Sequence, residues 1–306
     1  MLLTIEGGGY QADIDVSRGA NCVRLTNSTY GADILRSRGD ATPDNPFLYG
    51  MPILYPVNRI SGGRFTFEGR DYRFPVNEPK TGCHLHGELH RMPFSIVEQG
   101  TDFVRCAYTA ENYLGFPHKF RIDISYFLSE QGLRQETAVT NLSETNMPHF
   151  LGFHTTFRVP FLQGAKAEDV RVLAEVGDEI ERNMAVYLPT GRILPEDAVT
   201  KALNNGSFRP LSQKLSRHYR AGGSGAIVLY DSARHMKVVY ENDAKFGWRL
   251  IYNGDADEYI CLEPQTCMAN CQNVPFDRDY AGFDALSPHE TKTYVSKIFL
   301  EEVKKS

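Results

Sequence analysis

Short runs in which apolar and polar residues alternate recur along nearly the whole chain, each closed by glycine, proline or a cluster of small polar residues. A period of two puts successive side chains on opposite faces of a strand. Gln11–Val16 and Cys22–Thr26, joined by Ser17-Arg18-Gly19-Ala20, therefore read as antiparallel strands linked by a turn. Arg64–Phe74 reads as a hairpin around Gly69, with Phe65, Phe67, Tyr72 and Phe74 as its apolar positions. Similar runs follow at residues 103–109, 120–128, 133–141, 150–159, 226–230, 236–240, 248–252, 259–263 and 291–299. Pro264 is expected to stop the ladder directly after Glu263. Residues 40–46 read as a loop. Residues 165–217 carry the weakest pattern, with one short strand over 171–176 and a turn at Pro189-Thr190-Gly191.

Many short strands bury their apolar faces only by stacking or closing two sheets. The pattern predicts an all-β fold, a large antiparallel β-sandwich, with residues 1–306 as one domain and no internal repeat. Hydrophobic content of 42% and charged content of 23% are ordinary for a globular protein. A formal net charge of −5 gives no electrostatic reason to expect nucleic acid or an anionic membrane as partner. No window is apolar for the roughly 18 residues that span a bilayer, and the first residues lack a basic segment followed by an apolar one. A cytoplasmic protein is expected. Six widely spaced cysteines argue against a disulfide framework, and Cys267 and Cys271 have no second ligand pair nearby to complete a zinc site.

Four places carry candidate chemistry. The strand ending at Glu263 aims a carboxylate rigidly, although a solvated terminal Glu is the commoner use of such a residue. In residues 150–157 the alternation sends Leu151, Phe153, Thr155 and Phe157 to one face and Gly152, His154 and Thr156 to the other, so that His154 has room for a ligand beside Gly152. His84, His86 and His90 invite a metal, but hydrogen-bonding roles fit better than a metal site. Asn58-Arg59 follows a proline-bounded strand. Trp248 is expected to pack in the core rather than to stack on a ligand.

Taken together and in order, these residues resemble the aldose 1-epimerases (galactose mutarotases). The resemblance is carried by Pro56-Val57-Asn58-Arg59-Ile60 with Gly62, Phe65, Gly69 and Tyr72; by Leu85-His86-Gly87; by Asn141-Leu142-Ser143, Met147-Pro148 and Gly152-Phe153-His154; and by Cys261-Leu262-Glu263-Pro264-Gln265-Thr266. It implies a galactose mutarotase-like supersandwich acting on a monosaccharide without a cofactor. Glu263 would be general base and His154 general acid, with Arg59, His86 and Asn58 on the sugar.

Interconversion of anomers takes a proton from the C1 hydroxyl and gives one to the ring oxygen, so one base and one acid suffice. Glu263 is expected to be ionised at neutral pH and to raise the pKa of His154. Three departures stand out. Thr155-Thr156-Phe157 follows His154 where the family has Pro-Tyr-Phe, Glu88 stands where a second glycine is usual, and no carboxylate occupies Ser216-Arg217-His218-Tyr219, where a sugar-binding Asp would align. His218 is the candidate replacement. Two other readings stay open: a non-catalytic carbohydrate-binding protein on the same fold, and a hexose-6-phosphate 1-epimerase served by the many arginines of the N-terminal half.

Overall fold

The computed structural model describes residues 1–37, 45–254 and 258–303; the loop expected over 40–46 lies largely outside them. Two large antiparallel sheets form the frame, each of eight strands. One runs in the order Ser95–Gln99, Phe103–Ala110, Phe120–Ser129, Gly132–Asn141, Thr291–Glu302, Met236–Asn242, Ile227–Asp231 and Val170–Ala174. The other runs Leu188–Leu194, Val176–Asn183, Ser216–Ala221, Trp248–Tyr252, Tyr259–Gln265, Gly152–Phe153 and Ile53–Leu54, with Thr156–Arg158 also paired to Tyr259–Gln265. A four-stranded sheet from residues 2–33, the aromatic hairpin Arg64–Phe67/Arg70–Arg73 and the pair Arg59–Ser61/Cys83–Leu85 add smaller β units in the N-terminal third. The sandwich that the alternation predicts is the observed architecture.

The strand Phe120–Ser129 shows how the pattern builds the core: Phe120, Ile122, Ile124, Tyr126 and Leu128 are buried, while the residues between them are partly or fully exposed. Tyr259–Gln265 differs, being buried at every position. Ile260 and Leu262 belong to the hydrophobic core, where each full burial contributes about 1.5–3 kcal/mol. The opposite face of the same strand presents Cys261, Glu263 and Gln265.

Pro264 does not end that strand. It pairs with Arg249, and the ladder continues to Gln265 opposite Trp248. On the other side, Leu262 and Thr266 donate their N–H groups to the carbonyls of Thr155 and Leu151. The missing N–H of Pro264 falls between these bonds, where the neighbouring chain is interrupted between Gly152–Phe153 and Thr156–Arg158. Proline costs nothing at a position with no ladder bond to make. The single strand expected over 150–159 is thus two short pieces around His154.

Helix is confined to short elements among the described residues. Ala198–Asn205 is the longest, started by the Asp197 side chain accepting from the Thr200 N–H and ended by Gly206 at φ 74°. No helix among them is long and apolar enough to cross a membrane. All six cysteines are buried and free of disulfides, and Trp248 lies in the core at 1% exposure.

Candidate functional site

Gly152 stands opposite Gln265, and Thr156 opposite Cys261. The same register brings His154 across from Glu263, and since directly opposed side chains share a face, the two meet. Nε2 of His154 lies 3.1 Å from Oε1 of Glu263, yet off the line of a hydrogen bond, so that Oε1 has no donor. The residues flanking His154 hold it there from the far side. Thr155 Oγ1 bonds the Tyr240 hydroxyl at 2.9 Å, and Phe157 packs on the Tyr240 ring. The His154 N–H donates to Pro52 O. Alternation therefore sends Thr155 and Phe157 into the core and His154 the other way, as the sequence predicts. Gly152 leaves no open space, because a Cβ there would meet Val57 at 2.5 Å; its bareness lets Val57 and Gln265 pack.

Glu263 is fixed through an amide relay. Asn58 Nδ2 donates to Gln265 Oε1 at 3.1 Å, and Gln265 Nε2 donates to Glu263 Oε2 at 3.1 Å. Donation from Asn58 settles which end of the Gln265 amide faces the carboxylate. Asn58 and His86 both adopt left-handed backbone, each at φ 60°, and meet through the Asn58 N–H, which reaches His86 Nδ1 at 3.3 Å. A backbone N–H only donates, so Nδ1 is the acceptor and the ring proton sits on Nε2. His86 packs edge to face with His154 at a centroid distance of 5.7 Å.

Next to it, Gly87 at φ 62° admits no side chain, since a Cβ would come within 1.8 Å of Tyr55 O. Of the three histidines of the H-x-H-x3-H run, His84 leaves the group, bonding Pro75 O and stacking on Phe74, while His86 and His90 both pack against Phe47. No group of three or more His, Cys, Asp or Glu side chains among the described residues is placed to hold a metal.

His154, Glu263, His86, Asn58 and Arg59 line one cavity of about 620 Å³. Arg59 is engaged there: its guanidinium makes two bonds of 2.7 Å to Glu78 and lies 4.6 Å from the centre of the Tyr187 ring. Leu250 and Tyr252 also reach the cavity, whereas Trp248 on the same strand face does not. The structure does not bring His218 to it. Leu250 pairs with both His218 and Glu263 and so stands between them in the sheet. His218 is fully buried, its ring edge-on to Trp248 with both nitrogens unpartnered. Instead the cavity holds groups that the sequence pattern did not reveal: Glu78, Arg182, Tyr187 and Ser216.

Burial dominates the electrostatics. Loss of water pushes the Glu263 carboxyl up to about 8, against the lowering effects of the Gln265 amide, Arg182 and Arg59. Burial also draws His154 down to about 3. The expectation that Glu263 is ionised and lifts the pKa of its neighbour does not hold, because burial penalises the charged form of each group. Between about pH 3 and about pH 8 Glu263 therefore carries a proton and His154 is neutral. His86 is also held well below its ordinary value by burial, reinforced by His154 and Arg59, and is a neutral donor through Nε2.

A family model described as aldose 1-epimerase matches residues 1–298. The chain belongs to the aldose 1-epimerase family. Among solved structures, a galactose mutarotase-like protein from Clostridium acetobutylicum superposes with a TM-score of 0.92 at 30% identity, over 99% of this chain and 95% of its own. A putative aldose 1-epimerase from Escherichia coli K12 superposes at 0.82 with 19% identity, over 99% of each chain. In sequence, the Escherichia coli protein YphB is 23% identical over 79% of this chain and 80% of its own length. Protein LacX (plasmid) of Lactococcus lactis is 33% identical over 58% and 57%. These matches support a mutarotase-like, carbohydrate-binding enzyme in general terms. Within the aldose 1-epimerase fold, the segment that lacks the expected carboxylate is the strand Ser216–Ala221, and what faces the cavity there is Ser216, bonded to Arg182.

Proposed function

We propose that this aldose 1-epimerase family member interconverts the α and β anomers of a hexose, with Glu263 and His154 as its proton-transfer pair. The observation that carries the reading is the pair itself: a carboxyl and an imidazole in direct register, 3.1 Å apart, facing a cavity large enough for a monosaccharide.

Ring opening moves one proton from the anomeric hydroxyl and another to the ring oxygen. Moving the Glu263 proton onto His154 gives the reactive form, in which Glu263 takes the hydroxyl proton while His154 Nε2 protonates the ring oxygen; this leaves an aldehyde and returns the pair to a protonated Glu263 and a neutral His154. Rotation about C1–C2 exposes the other carbonyl face. Closure then runs the transfers backwards: protonated Glu263 returns its proton to the carbonyl oxygen, and His154 recovers one from the attacking hydroxyl. His86 donates from Nε2 to a sugar oxygen, Arg59 presents the guanidinium edge that Glu78 leaves available, and Asn58 acts through Gln265. Positioned acid and base groups contribute roughly 10²- to 10⁴-fold.

Polarimetry starting from single anomers of glucose, galactose and their 6-phosphates tests the reading. Acceleration that saturates with sugar supports it. Saturable binding without acceleration would replace it with a carbohydrate-binding role on the same fold.

A further inference from the structure

Arg182 lines the cavity at 8% exposure, and its Nη2 donates to the carbonyl and hydroxyl of Ser216, two neutral acceptors. Among the described residues no carboxylate pairs with it. Glu179 pairs with Arg217, Glu78 takes the fork of Arg59, and Glu263 accepts from Gln265 and faces His154. A cation withdrawn from water is costly unless an anion or several hydrogen bonds compensate it. Burial, with Arg59, lowers the guanidinium to about 10 against the longer-range pull of Glu263 and Glu179, which leaves it charged at neutral pH.

The described part of the wall has the same sign. Among its residues Arg59 and Glu78 cancel, and exposed Lys214 adds a second positive charge, against at most one negative charge on Glu263. The chain as a whole is negative, at −5, so the positive wall is a local feature. A neutral hexose, moreover, needs acceptors for its hydroxyl protons. Of the carboxylates of the described wall, Glu78 is taken up by Arg59 and Glu263 is the proposed proton-transfer group, so neither is left over to anchor a further hydroxyl, and Arg182 can only donate.

We infer that the preferred substrate is a hexose bearing an anionic group, carboxylate or phosphate, and that Arg182 selects it, with Lys214 at the rim. The inference rests on the mutarotase reading and deepens it. A planar guanidinium makes two parallel bonds to either anion. The competing role for Arg182 is as a charge partner that keeps Glu263 ionisable, which would serve every sugar equally.

Calorimetric binding and anomerisation kinetics on the full chain separate these roles, with glucuronate and galacturonate, glucose and galactose 6-phosphates, and neutral glucose and galactose as probes. At least one anionic class is expected to bind and turn over at least about tenfold better than the neutral sugars, and the uronate and phosphate arms identify which anion. Arg182→Gln is expected to collapse that ratio, while Arg182→Lys keeps part of it. Neutral sugars bound as well as anionic ones, or an Arg182→Gln loss equal on both, would overturn the inference. If Arg182→Gln does not fold, the wild type decides: Kd for the anionic sugar must rise with ionic strength more steeply than Kd for the neutral one, and equal slopes overturn the inference. Selective anion binding without acceleration of any sugar would end the mutarotase reading and leave the selection by Arg182 standing.

Discussion

His154 and Glu263 occupy directly opposed positions on neighbouring antiparallel strands, with Nε2 and Oε1 3.1 Å apart in a nearly dry setting. Burial keeps a proton on Glu263, and His154 neutral, through neutral pH. The activity proposed for the pair therefore falls when that proton leaves. The value of kcat/KM should hold through neutral pH and decline above about pH 8, where Glu263 ionises against a neutral His154. A pH profile that keeps rising to pH 9.5 would contradict the one-proton pair.

Gln265 lowers the Glu263 pKa by donating to Oε2. Removing the donor in Gln265→Leu should move the alkaline limb of the profile upward by about one pH unit, the scale of a hydrogen bond to a charged acceptor. A loss of activity with an unmoved limb would assign Gln265 to packing alone.

The buried carboxyl also has a stability signature. Its folded value of about 8 lies above the ordinary 4.5, so between those limits the unfolded chain releases a proton that the folded chain keeps. Stability contributed by the protonated form is complete below pH 4.5 and is lost as pH rises towards 8, by up to about 1.4 kcal/mol per pH unit. Glu263→Gln removes this term. The variant should melt higher than wild type at pH 8, with the difference shrinking towards pH 5; paired thermal melts check it.

The histidines act at the other end of the scale. Burial holds His90 and His118 at about 4, His149 and His154 at about 3, and lowers His84, His86 and His218 as well. Each is neutral when folded and takes up a proton below about 6.5 when unfolded, so each contributes stability above pH 6.5 that is lost as pH falls through the folded value. Denaturant titrations should show stability dropping from pH 6.5 downward and cooperative unfolding well before pH 3.

Gly87 holds the left-handed turn that aims His86, with no room for a Cβ against Tyr55 O. Gly87→Ala should destabilise the protein by at least about 2 kcal/mol in a denaturant melt, from backbone strain and the clash together.

The parts of this molecule that were legible in its sequence are those where alternation is regular. Thr155 and Phe157 reach Tyr240 because residues 151–157 alternate, and His154 could be placed on the cavity side for the same reason. Pro264 misled because proline usually ends a central strand, whereas here its missing N–H coincides with the break beside His154. Arg182 was invisible for a related cause. Its strand, Val176–Asn183, carries irregular register on both sides, between Val176 and Glu179 and again between Ile180 and Arg182, and the burial pattern along it loses its period of two. His218 shows the converse failure: a polar residue at the right register but one strand too far, with Leu250 in between.

The central claim is tested most directly by anomer exchange, followed by NMR or polarimetry, for wild type and Glu263→Gln on the best substrate. Wild type should accelerate interconversion and the variant should lose at least about a hundredfold in kcat, while remaining folded and melting higher at pH 8. A Glu263→Gln variant that is folded and turns over at the wild-type rate would contradict the account.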